Sequence, residues 1–349
     1  MPNAWGVGII GAGPGVASLH VPTLARVPQF RVMHICDAGS GRAAEIAAAV
    51  RGARASDSVA EMLADRAVEV VAICSPPDLH AEQVIAAAEA GKRAVFCEKP
   101  LATTVEDAER VVAACRQNGV ALIVGTNHHY DPAWGRARHH ITARGDRIEA
   151  ISIAVSLPPN SRYHEAVSEP PPVTASTARK PPDWDNPIVA AAVVRQLILG
   201  LGIHDLPAVR DLAPRIDRVA SARPLRPIGF ALGFVASDVV IQLVAVMQAE
   251  GADALWRMSI VTHDDVVEVD FPPSFLHEGS AVVRVHGPQG REVTYPVVAD
   301  DGYIAEWQAL ADALDAGVPI EYDEALEDAT YAIALADAAA ALIRGDASQ

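Results

Sequence analysis

Val95-Phe96-Cys97-Glu98-Lys99-Pro100 is the stretch that decides the fold. Its apolar run has no helical period and ends at a carboxylate, an ammonium and a proline, which predicts a buried strand of a parallel sheet. We expect the strand to end at the proline, because proline cannot donate to a sheet ladder. Ligands of open α/β sheets bind at the carboxyl ends of strands, so Lys99 is a candidate site residue. A structural ion pair between Lys99 and Glu98 is the alternative interpretation.

The bulk composition limits the class of protein. The chain has 349 residues, more than one compact core usually holds, so we expect two domains. A net charge of −16 argues against nucleic acid and anionic membranes as partners. No stretch approaches the ~18 consecutive apolar residues of a membrane span. The N-terminus lacks the basic start of a signal peptide, which predicts a cytoplasmic protein.

The cysteines and histidines show no metal-binding pattern. None of the four cysteines belongs to a Cys-x-x-Cys pair, and we interpret them as buried small hydrophobic residues of a reducing cytosol. The adjacent pairs His128-His129 and His139-His140 lack the i, i+4 spacing of a helical zinc site. We therefore predict no metal site.

A glycine-rich turn follows a short apolar strand at residues 6–10. The turn Gly11-Ala12-Gly13-Pro14-Gly15-Val16-Ala17 precedes a predicted helix at residues 18–27, as in a dinucleotide-binding fingerprint. The strict pattern places Val16 at the third small position. Ala17 fits only if one residue is inserted, which we place at Pro14-Gly15. A purely structural glycine turn would look similar.

An acid follows the second predicted strand, at the distance from the glycine turn where a carboxylate binds the adenosine ribose. Residues 30–36 form this strand, and Asp37 comes directly after it. A carboxylate repels a 2′-phosphate, so Asp37 favours NAD over NADP, although the nearby Arg42 weakens that preference. A helix N-cap is the alternative interpretation of Asp37.

Strands and helices continue to alternate up to residue 125. Apolar strands at 68–74, 93–97 and 121–125 enclose a helix at 79–90 and a second helix that ends at Gln117. We expect Thr103 and Glu106 to form the capping box of that second helix. The alternation predicts a doubly wound parallel sheet.

These motifs, in this order and spacing, resemble the Gfo/Idh/MocA oxidoreductase family, the relatives of glucose–fructose oxidoreductase and inositol dehydrogenase. The resemblance rests on Gly11-Ala12-Gly13, Asp37, the run from Ser75 to His80 and the run from Gly91 to Leu101. It implies an α/β protein with a Rossmann domain over 1–127. It also implies a substrate-binding and oligomerisation α/β domain over 128–349, with a large, mostly antiparallel sheet and a last helix that packs back on the Rossmann domain.

The resemblance also implies that Lys99 contacts both the nicotinamide ribose and the substrate oxygen. Together with the turn and the acid above, it gives the expected cofactor-binding residues: Gly11, Gly13, Pro14, Gly15, Val16, Asp37, Arg42, Ser75, Pro76, His80, Glu98 and Lys99. The expected cofactor is NAD, with NADP as the alternative.

The second half begins with a predicted strand at 148–156 and a proline-rich loop at 157–187. Aromatic and polar side chains in this loop suit a sugar or another ring substrate, although surface packing explains them as well. The candidate substrate residues are Lys99, His128, Tyr163, His164, Trp184 and His204.

His204 follows a predicted helix at 188–201. The family carries Asp-x-x-x-His there on one helix face; His204 matches the histidine, but Gly200 stands at the aspartate position. His204 can exchange a proton with a reacting hydroxyl, and Lys99 and His204 are therefore our candidate catalytic residues. The alternative is a core histidine at a helix bend. Asp205 is adjacent but faces a different direction, which makes it a poor substitute for the missing acid.

Alternating strands after Pro214 predict an antiparallel sheet with one solvated face. In the family that face is often an oligomer interface, so we expect a homodimer or a homotetramer.

Three functions are compatible with the sequence. The first is an NAD(P)-dependent dehydrogenase or reductase that acts on a secondary alcohol or ketone of a sugar, cyclic polyol or related metabolite. The second is a dinucleotide-binding sensor without turnover, which Gly200 and the altered glycine turn favour. The third is a redox-assisted lyase or glycosidase that recycles bound NAD, with Tyr163 or His164 as the acid.

Overall fold

The computed structural model describes residues 4–145, 147–158, 182–247, 253–273, 276–318 and 320–346. The chain divides into two compact units. Among the described residues, the first unit contains 4–125 and 303–330, and the second contains the remainder of 126–302 together with 331–346.

The first unit is built on a six-stranded parallel sheet. Its strands are β1 (Trp5–Ile10), β2 (Phe30–Cys36), β3 (Arg54–Ser56), β4 (Val70–Ile73), β5 (Ala94–Glu98) and β6 (Ala121–Gly125). Their order in the sheet is β3-β2-β1-β4-β5-β6, the order of a Rossmann fold. The predicted parallel, doubly wound sheet is therefore confirmed.

Helices connect these strands. They are α1 (Val21–Arg26), α2 (Arg42–Ala49), α3 (Val59–Ala64), α4 (His80–Glu89) and α5 (Val105–Asn118), with a π-helical turn at Val16–His20 and a 3-10 turn at Pro77–Leu79. The predicted capping box of α5 is wrong by one residue. Thr104 is the N-cap, because its backbone is extended and its side chain accepts a hydrogen bond from Asp107 N.

An aromatic cluster fills part of the core of the first unit. The Trp307 ring lies parallel to Phe96 of β5, with centroids 4.6 Å apart, and meets Phe30 of β2 edge-on at 5.1 Å. Trp307 is fully buried. It belongs to α10 (Gly302–Asp315), so a helix late in the sequence completes the core beneath the strand that carries Lys99.

Trp307→Ala should lower the free energy of unfolding by about 3–5 kcal/mol, because it removes a large buried side chain and leaves a cavity against Phe96. Trp307→Phe should cost clearly less, since it keeps a ring in the stack. Urea unfolding followed by circular dichroism measures both variants. Equal stability of Trp307→Ala and the wild type would contradict this packing argument.

The second unit is built on an eight-stranded mixed sheet. Its strands are β7 (Ile148–Leu157), β8 (Ile216–Leu225), β9 (Ile228–Ala236), β10 (Val239–Met247), β11 (Leu255–Thr262), β12 (Val266–Asp270), β13 (Val282–His286) and β14 (Glu292–Tyr295). Their order is β14-β13-β12-β11-β7-β10-β9-β8, and β7 and β10 are the parallel pair among otherwise antiparallel neighbours. The expected large, mostly antiparallel sheet is confirmed.

The remaining helices are α6 (Asn127–Tyr130), α7 (Pro132–Arg144), α8 (Pro187–Gly200), α9 (Leu206–Leu212) and α11 (Tyr322–Arg344), with 3-10 turns at Gly202–His204 and Pro288–Gly290. Gly202 is buried against the sheet, where a Cβ would lie at ordinary contact distance, 3.6 Å, from Leu243 and Phe230.

Among the described residues, Pro187–His204 is long and apolar enough to cross a membrane, with a mean hydropathy of 1.6. The expectation of no such segment considered only uninterrupted apolar runs, whereas this one contains Arg195. Core helices pass the same test, and Val194 and Ile198 are buried.

Candidate active site

The glycine turn brings the backbone of β1 close to that of β4. Gly11 has φ +106°, and a Cβ there would lie 2.5 Å from the carbonyl oxygen of Cys74. A Cβ at Gly13 would meet nothing within 4 Å, so open space lies beside the turn. Glycine at both positions fits a backbone cradle for a pyrophosphate at the carboxyl end of a Rossmann sheet.

The turn continues directly into helical backbone. Gly15 is the N-cap of the π-helical segment Val16–His20, and Val21 N donates to Val16 O. A π turn contains one more residue than an α turn, and this one begins directly after Pro14-Gly15, where we place the extra residue of the glycine pattern. Val16 is buried, and the carbonyl of Pro14 accepts from the Ser18 hydroxyl at 2.8 Å.

Asp37 stands directly after β2, as the spacing requires. Its carboxylate accepts from Ser40 N at 3.2 Å and also from the Ser40 hydroxyl. The alternative interpretation as a helix N-cap is wrong, because α2 begins after Gly41, and Arg42 is its first residue. Asp37 thus orders a short loop at the sheet edge and remains partly exposed there.

His80 connects the segments that follow β4 and β5. Its Nδ1 lies 2.8 Å from the carbonyl oxygen of Pro100, and its Nε2 lies 2.9 Å from that of Ser75. The Ser75 hydroxyl in turn donates to Gln83 at 2.6 Å, and Pro76 is the N-cap of the 3-10 turn before α4. The imidazole therefore fixes both segments through their backbones; a direct contact of His80 with the cofactor stays a prediction.

β5 ends at Glu98, and Lys99 follows it at the carboxyl edge of the sheet, where Asp37 also lies. One oxygen of Glu98 lies 3.1 Å from His20 Nε2, and the other accepts from Lys99 N at 3.1 Å. Burial alone would raise the pKa of Glu98, but hydrogen bonding to His20 and the charges of His20 and Lys99 hold it below its ordinary value. Burial lowers the pKa of the Lys99 ammonium, and the charge of Glu98 opposes this fall only in part.

A lysine that has lost part of its hydration interacts more strongly with a substrate oxygen than a hydrated lysine does, and a lowered pKa makes its ammonium a stronger proton donor. Lys99 has this environment. It lies at the sheet edge where the glycine turn and Asp37 also end, and these residues fit the dinucleotide expected from the sequence.

His204 lies in the second unit, in the 3-10 turn after α8. Its Nδ1 is 2.7 Å from the side-chain oxygen of Asn127. An amide oxygen only accepts hydrogen bonds, so Nδ1 is the donor, and Nε2 is the nitrogen that has the lone pair in a neutral ring. Asn127 therefore fixes the orientation of the His204 ring.

Asp205 serves a different histidine. It is fully buried, and its carboxylate oxygens accept from His128 Nδ1 at 3.0 Å and from Trp256 Nε1 at 2.8 Å. The His128 ring also lies parallel to Phe271, with centroids 3.7 Å apart. Trp256 also meets the His128 ring edge-on, with centroids 4.6 Å apart, and the ring centroid of His128 is 5.4 Å from that of His204.

Gly200, at the position of the family aspartate, is the last residue of α8. A Cβ there would meet nothing within 4 Å, so the fold leaves room for a side chain that this sequence does not supply.

The other candidate substrate residues come from the proline-rich loop. Trp184 is partly buried, and its Nε1 donates to the carbonyl oxygen of Pro227 at 3.1 Å. Tyr163 and His164 lie outside the described residues.

Sequence reasoning missed His20, Asn127 and Trp256. Asn127 is two residues beyond the end of β6, and a search of every strand end would have found it. His20 and Trp256 gave no local signal, because their partners Glu98 and Asp205 are distant in sequence.

Residues 5–126 match the model of an oxidoreductase family with an NAD-binding Rossmann fold, Gfo/Idh/MocA. Inositol 2-dehydrogenase 3 of Saccharopolyspora erythraea is 36% identical over 198 residues, which are 54% of this chain and 56% of the relative. The 1,5-anhydro-D-fructose reductase of Ensifer adhaerens is 37% identical over 163 residues, 45% of this chain and 47% of the relative. The chain thus spans about half the length of these curated relatives.

A solved 3-ketoreductase from Actinomadura kijaniata, in complex with NADP, has the same fold. The TM-score is 0.73 at 19% identity, and the match covers 95% of this chain and 97% of that one. This likeness concerns the fold alone. The family match covers the glycine turn, Asp37 and Lys99, so this part of the chain is similar to the NAD-binding Rossmann domain of Gfo/Idh/MocA oxidoreductases.

Proposed function

We propose that the chain is an NAD(P)-dependent oxidoreductase that transfers a hydride between nicotinamide and a secondary alcohol or ketone of a sugar, a cyclic polyol or a related metabolite. The observation that carries this proposal is Lys99, whose partly buried side chain follows directly after β5, at the edge of the sheet where the glycine turn and Asp37 also lie. A dinucleotide sensor would have no need of such a lysine.

The bound nicotinamide supplies the hydride acceptor or donor. In the oxidation direction, the carbon–hydrogen bond breaks with its electron pair leaving as hydride, while the hydroxyl proton leaves to a base and the carbonyl forms. Lys99 would hold the substrate oxygen and stabilise its developing negative charge. His204, oriented by Asn127, would take the proton on Nε2 and return it in the reverse direction.

The test uses the purified full chain with NAD or NADP and a panel of polyols and keto-sugars. Reduced nicotinamide is followed by absorbance, and product by mass spectrometry. We expect turnover coupled to a change in nicotinamide. Product without a net change in nicotinamide would favour the redox-assisted lyase, and dinucleotide binding with no product would favour the sensor.

Asp37→Ala should weaken the binding of NAD more than that of NADP, because the carboxylate would accept from the ribose hydroxyls of NAD and repel a 2′-phosphate. Calorimetric titration of the full chain with each dinucleotide measures both affinities. An equal loss for the two cofactors would mean that Asp37 does not contact the ribose.

We also propose that the open face of the eight-stranded sheet pairs two copies of the chain, as a homodimer or as half of a homotetramer. Val240 and Val244 of β10 are 51% and 41% exposed there, beside the small residues Ala150 and Ala154 of β7. Val244→Lys should therefore lower the molar mass measured by light scattering, whereas the exposed Val293→Lys on β14 should not.

A further inference from the structure

Three side chains form a cluster next to Lys99, which we call the His20 cluster: the buried His20 and the partly buried Cys74 and Glu98. His20 is 4% exposed, and its Nε2 lies 3.1 Å from Glu98. Its ring also meets Phe96 edge-on, with centroids 5.7 Å apart. A Cβ at Gly125 would lie 2.9 Å from Phe96 and 3.4 Å from Glu98, so the glycine leaves space for this arrangement.

The π turn at Val16–His20 ends with the histidine of this cluster. The glycine turn and the strand that carries Lys99 are therefore joined by an ion pair as well as by the sheet. Burial alone would lower the pKa of His20, but interactions with Cys74 and Glu98 raise it well above its ordinary value. These interactions favour the protonated form of His20.

We propose that His20 is a positioning residue that neutralises Glu98 and thereby weakens the hold of Glu98 on the proton of Lys99. Glu98 is the anion that favours the charged form of Lys99, and His20 is the cation that shares this anion. This inference rests on the proposed role of Lys99, whose ammonium donates a stronger hydrogen bond to the substrate oxygen when Glu98 holds its proton less tightly. Without His20, no positive charge of this histidine would offset the negative charge of Glu98, and the pKa of Lys99 would rise.

His20 and Glu98 have opposite effects on the pKa of Lys99, and this makes the inference specific. Among the described residues, the titratable groups around Glu98 are His20 from the π turn, His80 from α4, and Cys97 and Lys99 on its own segment; Cys74 after β4 faces His20. Loss of the anion must lower the pKa of Lys99, whereas loss of the cation must raise it. A merely structural role of His20 would not give opposite signs.

The chain contains three lysines, Lys92, Lys99 and Lys180, so lysine labelled with ¹³C at the ε-carbon gives three NMR signals in the full chain. Lys92→Arg and Lys180→Arg assign them. We expect His20→Gln to raise the pKa of Lys99 by about one pH unit and Glu98→Gln to lower it by a similar amount. His20→Arg, which restores a cation without adding a lysine signal, should return the pKa of Lys99 towards the wild-type value.

His34→Gln is the matched control. His34 is also a buried histidine bonded to a carboxylate in the same sheet, with Nδ1 3.1 Å from Asp65, but Asp65 faces Lys92 instead of Lys99. We expect no change at Lys99 in this variant. A pKa of Lys99 that is unchanged or lowered in His20→Gln would overturn the inference.

The unmodified protein provides a second test if His20→Gln does not fold. The Lys99 signal should titrate in two steps, because proton loss from His20 changes the field at Lys99 before or after its own proton leaves. A single-step titration would contradict the coupling. This readout follows the proton equilibrium of one lysine, so it is independent of whether the chain oxidises a polyol.

Discussion

Lys99→Ala is expected to lower kcat/KM by about 10²- to 10³-fold, the loss that follows removal of one preorganised donor to a developing oxyanion. The lysine is partly desolvated, and this increases the strength of its interaction with a substrate oxygen compared with that of a hydrated lysine. Steady-state kinetics on the best substrate of the panel, with NAD and NADP in turn, measures the change. Calorimetry with the dinucleotide alone should show a much smaller loss of affinity.

Lys92→Ala is the control for this variant. Lys92 lies just before β5, and its ammonium donates to the backbone carbonyls of Val68 at 2.6 Å and Asp65 at 3.2 Å. Its removal should lower the stability of the fold and leave kcat close to the wild-type value. If Lys99→Ala retained full turnover, the proposed function would lose the observation that carries it, and Lys99 would be one half of a structural ion pair.

The positions of Lys99 and Asp37 could be predicted because each depends on a local pattern: a buried strand, its end and a polar residue. Strand β3 was missed for the opposite reason. Arg54–Ser56 is three residues long with two exposed side chains, so it has no hydrophobic pattern, and only pairing with β2 makes it a strand. Threonine is a favourable N-cap residue, so the sequence could not distinguish Thr103 from Thr104 as the cap of α5. The structure shows that the cap is Thr104, whose backbone is extended.

The candidate site was less predictable than the fold. The sequence indicated that the acid expected to orient His204 is absent, but it could not identify Asn127 as the replacement, because 77 residues separate the two. Asp205 was correctly expected to face elsewhere, and the structure shows its partners to be His128 and Trp256. Contacts between distant residues depend on tertiary packing, which periodicity does not encode.

His204→Ala should lower kcat by about 10²- to 10³-fold, the usual contribution of a general acid–base group. Asn127→Ala should cost about tenfold, because the histidine remains but loses the hydrogen bond that fixes its ring and its tautomer. The double variant should be no slower than His204→Ala alone, since Asn127 acts only through the histidine. Additive losses would mean that Asn127 contributes independently of His204.

Asn127→Asp keeps the hydrogen bond to His204 and adds a negative charge beside it, so it tests whether His204 carries the proton. A carboxylate at this position can still accept from Nδ1 of His204, but its negative charge stabilises the protonated ring, so the pH at which kcat is half-maximal should rise by about one pH unit. Asn186→Ala removes another asparagine of the same unit, whose side chain caps α8 through Ile188 N at 3.0 Å. This control should destabilise the fold and leave the pH profile of kcat unchanged. A pH profile that stays fixed in Asn127→Asp would mean that His204 does not carry the proton, and the search for the base would then move to Lys99 itself.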